Sequence, residues 1–281
     1  MKIMKIKNVA FLFGLACISV ICFKFGNFLS KKAIAQCQVI ESNSIEDVKK
    51  FIEQDTLFIF DFDNVIVEGK EDYGFDAWFC AMVVELENGG MKKESAVKSL
   101  LPIYEKIQRT AEAQPVDKST KALIDGLKAD GHNVMILTVR SLCLVNSLFR
   151  QLKSVEIDIE KGSIPEDGIN LDLAKVGATY CKGVLLCNGY RKGQALKAFL
   201  TSKPDLKVKN IVFVDDKLKN IDSVKATTQE MGINFVGIRY GLTDKRTKAY
   251  VLDNKSKNLV QKILNDDSEE AKKVANITAQ A

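Results

Sequence analysis

Short apolar runs that end in polar residues recur along the chain and alternate with segments of helical periodicity. The first run, 57–62, is apolar except for Asp61 and is followed at once by Asp63. Apolar runs of this length are typical of strands that are buried on both faces of a parallel sheet. Four further runs have the same character and span 133–137, 183–187, 210–214 and 234–239.

Helical segments separate these strands, over 118–128, 193–201 and 220–229. Strands that alternate with helices predict an α/β fold with a doubly wound parallel sheet, because right-handed crossovers place the helices on its faces. Ligands of such folds gather beyond the carboxyl ends of the strands. The polar residues at the strand ends are therefore the place to look for a site.

Two segments stand outside this alternation. Residues 70–115 contain two helical stretches, 75–87 and 93–109, which we interpret as a small helical cap inserted after the first strand. Residues 44–54 begin with a sequence that resembles a capping box, which predicts a short helix. The predicted organisation is a leader, 1–35, a core, 36–69 and 116–250, a cap, 70–115, and a charged tail, 251–281, with one helix over 257–265.

The leader has the layout of a secretory signal peptide. It has a basic start, an apolar run from Val9 to Phe23 and the small-residue triplet that ends at Ala35, after which we expect cleavage. An uncleaved membrane anchor is the alternative, although the run is shorter than the roughly 20 residues of a comfortable span. Gln36 before Cys37 excludes a lipoprotein signal. Either way the sequence predicts an exported protein, periplasmic or secreted, that meets a membrane only through the leader.

The formal net charge of +5 does not indicate a nucleic-acid partner, because it comes from the leader. The first 35 residues contain six lysines and no acidic residue, so the remaining chain has 35 basic and 36 acidic residues. We therefore expect no nucleic acid among the partners of the folded part.

Histidine and cysteine are too few or too scattered for several kinds of site. His132 is the only histidine, so a Ser-His-Asp triad or a multi-histidine zinc site would depend on this one residue, which we place in a loop. Cleavage would leave five cysteines without metal-type spacing, and we expect buried free thiols rather than disulfides. Acids, bases and metal ligands must therefore be mainly carboxylates.

Pairs of carboxylates end two of the predicted strands. Asp61 and Asp63 follow an apolar stretch, and burying such a pair is costly unless a cation neutralises it. Asp215 and Asp216 end another strand in the same way. The two pairs could therefore converge on one hard cation such as Mg²⁺.

A hydroxyl group and an amine complete the set of candidate site residues. Thr138 ends a third strand, and Lys192 opens a helix whose N-terminus favours anions, so that together they would form a phosphate site beside the metal. Taken singly, Thr138 could be a turn residue, Lys192 could be exposed, and the pair Asp215-Asp216 could cap a helix. Their combination indicates a phosphate and metal site.

The order of these residues resembles the four motifs of the haloacid dehalogenase superfamily. The match covers most of residues 57–240 and consists of Asp61-x-Asp63-x-Val65, Thr138, Lys192 and Asp215-Asp216. The resemblance implies a Rossmann-like core and chemistry through a covalent aspartyl-phosphate. Dehalogenases of the superfamily lack the second aspartate, and its P-type pumps have threonine there. Asp63 therefore implies a phosphatase, with a phosphomutase as the rarer outcome.

Carried over by position, the resemblance also implies a role for each acidic residue. Asp61 would be the nucleophile, and Asp63 would protonate the leaving oxygen and then activate water. Mg²⁺ would be bound by Asp61, by the backbone carbonyl of Asp63 and by Asp216. Asp215 would be a further ligand or an orienting residue.

The phosphoryl oxygens would be bound by Thr138 and Lys192. Arg140 is a further candidate for phosphate or substrate binding, and the alternative for it is a surface salt bridge. Asn64 and Asn220 depart from the family pattern, in which glycine or another small residue and aspartate, respectively, are frequent. Either amide could still orient a water of the metal or the ammonium of Lys192.

The sequence thus predicts an exported, Mg²⁺-dependent phosphomonoesterase for a small phosphorylated substrate. One alternative is a binding or host-interaction protein that keeps the fold with little turnover, and another is a phosphatase of phosphoproteins or of a nucleotide. In the cap, aromatic residues such as Tyr73, Phe75 and Phe79 could line a substrate pocket. The helical spacing of Trp78, Met82 and Leu86 favours packing instead.

Overall fold

The computed structural model describes residues 35–165, 176–254 and 256–258. The predicted leader, except for Ala35, and most of the predicted tail helix, 257–265, lie outside these residues. Among the described residues, no helix has the length and apolar character that crossing a membrane requires.

A seven-stranded sheet carries the fold, with the strand order β1-β9-β8-β2-β5-β7-β6. All neighbouring strands are parallel except β6 and β7, so the predicted α/β fold with a mostly parallel sheet is confirmed. A separate antiparallel ribbon is formed by β3 and β4. The strands are β1 (Cys37–Ser42), β2 (Thr56–Phe60), β3 (Val67–Gly69), β4 (Ala113–Pro115), β5 (Asn133–Thr138), β6 (Thr179–Cys181), β7 (Val184–Leu186), β8 (Asn210–Asp215) and β9 (Asn234–Tyr240).

The helices cover the sheet and form the cap. They are α1 (Asp76–Asn88), α2 (Lys93–Gln108), α3 (Thr120–Ala129), α4 (Val145–Ser154), α5 (Lys192–Ser202), α6 (Leu218–Met231) and α7 (Asp244–Lys248), with two short 3₁₀ helices, Ile45–Phe51 and Leu142–Leu144. Helix α6 ends as its sequence predicts, because Gly232 adopts the left-handed conformation (φ 73°) and closes the last turn.

Strand β2 lies at the centre of the sheet and is completely buried. Its alternate side chains enter two different apolar clusters, Phe58 and Phe60 on one face and Leu57 and Ile59 on the other. This two-sided burial explains why the strand is a continuous apolar run rather than an alternating pattern. The carboxyl end of β2 therefore leads directly from a dry core to the edge where polar residues begin.

Residues 44–54 form a helix as predicted, but it is a 3₁₀ helix over Ile45–Phe51, and Ser44 makes no side-chain cap hydrogen bond, so the capping box is not formed. The apolar run 57–62 is the second strand in chain order, because the edge strand β1, which has no long apolar run, precedes it. The cap helices follow this run after the ribbon strand β3. The segment 183–187 forms β7, which pairs with β5 in parallel, as predicted, and with β6 in an antiparallel hairpin.

The cap consists of α1 and α2, which pack on each other around a cluster of their own. Trp78 and Met82 are buried in this cluster, and Leu86 packs against it, so the expected packing role is confirmed for them. Phe79 packs against the same cluster and, in addition, lines a cavity beside the polar strand ends. The ribbon of β3 and β4 connects the cap to the core.

The histidine and cysteine predictions have mixed outcomes. His132 lies in a turn before β5, where its ring packs edge-on against Phe58. The five cysteines of the described residues are free thiols, as expected. Cys187 is buried, but Cys80 and Cys143 are exposed, which contradicts the expectation that all of these thiols pack as apolar groups.

Candidate active site

The polar residues predicted from the sequence meet at the carboxyl ends of three adjacent strands. Strand β2 lies between β8 and β5, and Asp61, Asp215 and Thr138 stand at the ends of these three strands. The backbone N–H of Asp61 donates to the carbonyl of Val214 over 2.8 Å, which extends the pairing of β2 with β8. Parallel pairing therefore places these side chains together, although they are far apart in the chain.

Lys192 bridges two of the strand-end carboxylates. Its Nζ lies 2.6 Å from Asp61 Oδ1 and 2.7 Å from Asp215 Oδ2, and its side chain is completely buried. The explanation of Lys192 as an exposed lysine is therefore wrong. Burial opposes its charge, but the two carboxylates outweigh burial and raise the pKa of Lys192 above its ordinary value.

Gly193 allows Lys192 to reach this position. A Cβ atom at residue 193 would lie 2.1 Å from the carbonyl oxygen of Ser223 in α6, so only glycine permits α5 and α6 to approach so closely. The backbone N–H of Gly193 also donates to the Ser223 hydroxyl over 3.2 Å. The start of helix α5 therefore lies in close contact with α6, and its first side chain, Lys192, points to the carboxylates.

Asp61, Asp215 and Asp216 form a group whose carboxylate oxygens lie within 4.8 Å of one another. Burial raises the pKa of Asp61 well above its ordinary value, Lys192 opposes this, and the two neighbouring aspartates add to it. Burial also raises the pKa of Asp216 to about 6. Three carboxylates thus lie in a poorly hydrated place, where Lys192 and, at Asp216, Lys217 offset part of their charge, and a divalent cation would supply further positive charge.

Asp215 is surrounded by donors. Its Oδ1 accepts the backbone N–H of Lys217 over 2.8 Å and the Asn220 amide over 2.9 Å, while Oδ2 accepts Lys192 over 2.7 Å and Asn220 over 3.1 Å. Asn220, which departs from the family pattern, therefore holds a carboxylate in place. Asp216 accepts one side-chain hydrogen bond, from Asn64 over 2.9 Å.

Asn64 owes its place to its backbone conformation. Its φ of 62° is in the left-handed region, which favours glycine but is tolerated by asparagine. The turn brings its amide within 2.9 Å of Asp216 and 3.5 Å of Asp76, the first residue of the cap helix α1. Asn64, at a position where the family pattern has glycine or another small residue, therefore adds a contact between the cluster of three aspartates and the cap.

Asp63 is not part of this cluster and pairs with Arg140. The Arg140 Nε donates to Asp63 Oδ2 over 2.9 Å and Nη2 donates to Oδ1 over 2.7 Å. Arg140 also donates to Gln151 over 2.9 Å and stacks on Phe62, with its Cζ 4.6 Å from the ring centroid. Since the Arg140 side chain is 2% exposed, the surface salt bridge considered for it is wrong.

Thr138 is completely buried at the end of β5, and its hydroxyl accepts the backbone N–H of Arg140 over 3.2 Å. This hydrogen bond closes the turn that leads from the strand to Arg140. The expected contacts of Thr138, Lys192 and Arg140 with a phosphate, and of the Asp63 carbonyl with a metal, stay predictions.

A family model for DUF2608, described as a protein of unknown function, matches residues 41–274. The chain belongs to the DUF2608 family. This match spans the last two residues of β1, all the other strands of the sheet, the cap and all of the site residues described above.

Relatives of this DUF2608 protein occur in chlamydiae. A protein of Chlamydia trachomatis serovar D named "Putative outer membrane protein" is 25% identical over 195 residues, which are 69% of this chain and 72% of the relative. A Chlamydia pneumoniae protein with a name of the same kind is 25% identical over 209 residues, which are 73% of this chain and 78% of the relative.

Two solved structures are similar to the DUF2608 chain at a low level. A hydrolase from Pseudomonas syringae has 14% sequence identity and a TM-score of 0.34, over 69% of this chain and 98% of that one. A class C acid phosphatase from Bacillus anthracis with tungstate bound has 12% identity and a TM-score of 0.33, over 79% of this chain and 83% of that one.

Two residues of the DUF2608 site were not predicted from the sequence. Asp76 at the start of α1 forms an ion pair of 2.5 Å with the Lys217 ammonium. Both residues line a cavity of about 670 Å³, which is also lined by Asp61, Asp63 and Lys192. An aspartate in the first turn of a helix is commonly a capping residue, and a lysine after two aspartates has no distinctive pattern. Their sequence separation of 141 positions hides the pair until the fold brings the cap onto the core.

Proposed function

We propose that this DUF2608 protein is an exported, Mg²⁺-dependent phosphomonoesterase that hydrolyses a small phosphorylated substrate through an aspartyl-phosphate on Asp61. The observation that carries the proposal is the buried Lys192, whose ammonium lies between Asp61 and Asp215. A lysine in this place opposes the effect of burial on the pKa of Asp61 and leaves a positive charge where a phosphoryl group would lie. The adjoining cavity of about 670 Å³ has room for a small substrate.

The first step is attack by Asp61 on phosphorus. Its Oδ1 accepts the backbone N–H of Phe62 over 2.7 Å and lies 2.6 Å from Lys192 Nζ. We assign the attack to Oδ2, because these two donors both engage Oδ1. The P–O bond to Asp61 forms as the bond to the leaving oxygen breaks, and the leaving oxygen takes a proton from Asp63.

The second step is hydrolysis of the aspartyl-phosphate. Asp63, now ionised, takes a proton from water as the water attacks phosphorus, and the Asp61 carboxylate and inorganic phosphate are released. Both proton transfers require that an oxygen of Asp63 be free, so the carboxylate must turn partly away from Arg140 in each cycle. Between the two transfers, while Asp63 is ionised, Arg140 would hold its carboxylate in one position.

The three clustered carboxylates fit a divalent cation. Asp61 and Asp216 are the side chains that would hold Mg²⁺, with the Asp63 carbonyl as a third ligand. Both oxygens of Asp215 already accept hydrogen bonds, which favours an orienting role for that residue. When bound, Mg²⁺ supplies positive charge that screens Asp61 from the phosphate and stabilises the negative charge of the transition state.

Export is proposed on the signal-like leader and on the names of the chlamydial relatives. The test is mass measurement of the N-terminus of the protein isolated from its own cells. A chain that begins at Met1 in a cytoplasmic fraction would contradict export.

The phosphatase proposal is tested by hydrolysis of an aryl phosphate with the full chain, in Mg²⁺ and after chelation, beside Asp61→Asn. Activity should require Mg²⁺ and should disappear in the variant. Activity that survives either change contradicts the mechanism.

The second candidate is a binding protein with little turnover, and the Arg140 pair favours it. Both oxygens of Asp63 accept hydrogen bonds from Arg140, so the proton-transfer residue is restrained. This candidate predicts that phosphate and Mg²⁺ bind, as measured by calorimetry, while no phosphate ester is hydrolysed. Multiple turnovers by the wild-type protein that disappear in Asp61→Asn rule it out.

A further inference from the structure

A second cavity, of about 280 Å³, adjoins the main one beneath the cap. Its walls are mostly apolar, and Phe79 and Tyr104 form one of them with their rings edge to face and their centroids 5.3 Å apart. The other apolar residues of the lining are Val97, Leu101, Val139 and Leu144. We call this space the apolar cavity. Its volume is at the lower end of the range for ligand pockets, which begins at roughly 300 Å³.

Asp63 stands where the two cavities meet. Both cavities are lined by Asp63, Asp76 and Gly189, whereas Asp61 lines only the main cavity and Arg140 lines only the apolar one. Because both carboxylate oxygens of Asp63 are turned to Arg140, the carboxylate lies on the side of the apolar cavity. The proton-transfer residue thus borders both cavities, whereas the nucleophile borders only the main one.

In the mechanism proposed above, Asp63 gives its proton to the leaving oxygen, so the alcohol that leaves must lie next to it. We propose that the apolar cavity holds the alcohol part of the substrate, and that this part is an uncharged apolar group of about the size of one ring. The substrate class is therefore an aryl, arylalkyl or branched alkyl phosphate. This inference rests on the proposed phosphatase function.

The charges around the apolar cavity select against a second anionic group. Among the described residues that line it, Arg140 is the one cation, and its guanidinium is engaged by Asp63 and Gln151. Glu105 adds negative charge to the same walls, whereas Asp76 is paired with Lys217. A carboxylate or a second phosphate on the alcohol part would lie near these acids without a free partner, at a cost in binding.

The test compares three phosphate esters of primary alcohols, so that intrinsic reactivities are similar. Benzyl phosphate has an apolar ring, glycerol 3-phosphate has a polar uncharged tail, and 3-phosphoglycerate has a second anionic group. With the full chain and Mg²⁺, kcat/KM should be at least about tenfold higher for benzyl phosphate than for glycerol 3-phosphate, as is typical of apolar pocket contacts. The value for 3-phosphoglycerate should be the lowest.

Leu101→Asn makes the lining polar, and Val84→Asn is the matched control. Leu101 is 43% exposed in α2, and Val84 is 53% exposed in α1 outside both cavities, so each change has a similar effect on its helix. Leu101→Asn should lower the preference for benzyl phosphate over glycerol 3-phosphate by about fivefold. Val84→Asn should leave that preference unchanged.

The outcomes separate this inference from the proposed function. Equal kcat/KM values, a preference for 3-phosphoglycerate, or a preference that Leu101→Asn leaves unchanged would overturn the apolar substrate class while the phosphatase function stands. Hydrolysis of none of the three esters, with Mg²⁺ present and the protein folded by circular dichroism, would overturn the phosphatase function and this inference with it.

Discussion

Arg140 holds Asp63 by both carboxylate oxygens, with hydrogen bonds of 2.9 and 2.7 Å from two nitrogens of one guanidinium group. Gln151 and the Phe62 ring hold the guanidinium in turn. A planar two-bond pair of this kind fixes orientation as well as position. The residue proposed to move protons is therefore aimed by a cation whose guanidinium group donates to Asp63 and Gln151.

Arg140→Lys is expected to lower kcat for an aryl phosphate by about tenfold or more and to change KM much less, because lysine keeps the charge but cannot form the parallel bonds. The measurement is steady-state kinetics with Mg²⁺. Arg150→Lys is the control, since Arg150 donates to the Gln108 and Ala111 carbonyls away from Asp63. An unchanged kcat in Arg140→Lys would show that Asp63 does not need the two parallel hydrogen bonds from arginine to be oriented for proton transfer.

Lys192→Met is expected to destabilise the fold by about 3–5 kcal/mol, because it leaves Asp61 and Asp215 buried without their shared cation. Urea unfolding measures the change. Lys197→Met in the same helix is the control, because that lysine pairs with Glu230 at the surface and should matter by less than about 1 kcal/mol. Adding Asp215→Asn to Lys192→Met should restore part of the loss; an equal or larger loss would contradict charge imbalance as its cause.

Mg²⁺ should raise the melting temperature of the wild-type protein in a concentration-dependent manner, because a ligand that binds only the folded state stabilises it. Asp216→Asn should remove most of this shift, since it takes one carboxylate from the cluster. Asp222→Asn, the same change on the rim of the main cavity, should keep it. Equal shifts in all three proteins would place the cation elsewhere.

Without metal, stability should fall as the pH rises from about 4 to about 6. Burial raises the pKa of Asp216 from 3.8 to about 6, so in this interval the folded state keeps a proton that the unfolded chain has released. The slope of stability against pH is therefore negative, and Asp61 acts in the same direction. The pH dependence is measured by urea unfolding of the wild type and of Asp216→Asn in the presence of a chelator. The difference in urea midpoint between the two proteins should change with pH. A constant difference would refute the assignment of the effect to Asp216.

The pattern of the sequence was sufficient for the centre of the sheet. Strands such as β2 and β8 are buried on both faces, so their apolar runs have no other good explanation. The edges were harder. Strand β1 mixes half-buried and exposed positions without a regular alternation, and β6 has three residues, so neither differs much from a loop until a neighbouring strand pairs with it.

The residue types of the site were predictable, but their partners were not. Strand ends identified Asp61 and Asp215, because parallel strands must bring their ends to one edge. The role of Arg140 depends on a contact across 77 positions, and that of Asp76 depends on how the cap lies on the core. Side-chain pairs of this kind arise from tertiary packing, and spacing along the chain does not encode them.

The ribbon of β3 and β4 lets the cap vary separately from the sheet that carries the aspartates. Both crossings of the chain, at Val67–Gly69 and Ala113–Pro115, lie side by side, so residues 70–112 leave and return at one place. Neighbouring strands are about 4.8 Å apart, and a segment whose ends are that close can be lengthened, shortened or exchanged without moving the strands that carry the aspartates. A change in what the protein recognises can therefore be made in this segment while the chemistry proposed for the strand ends is kept.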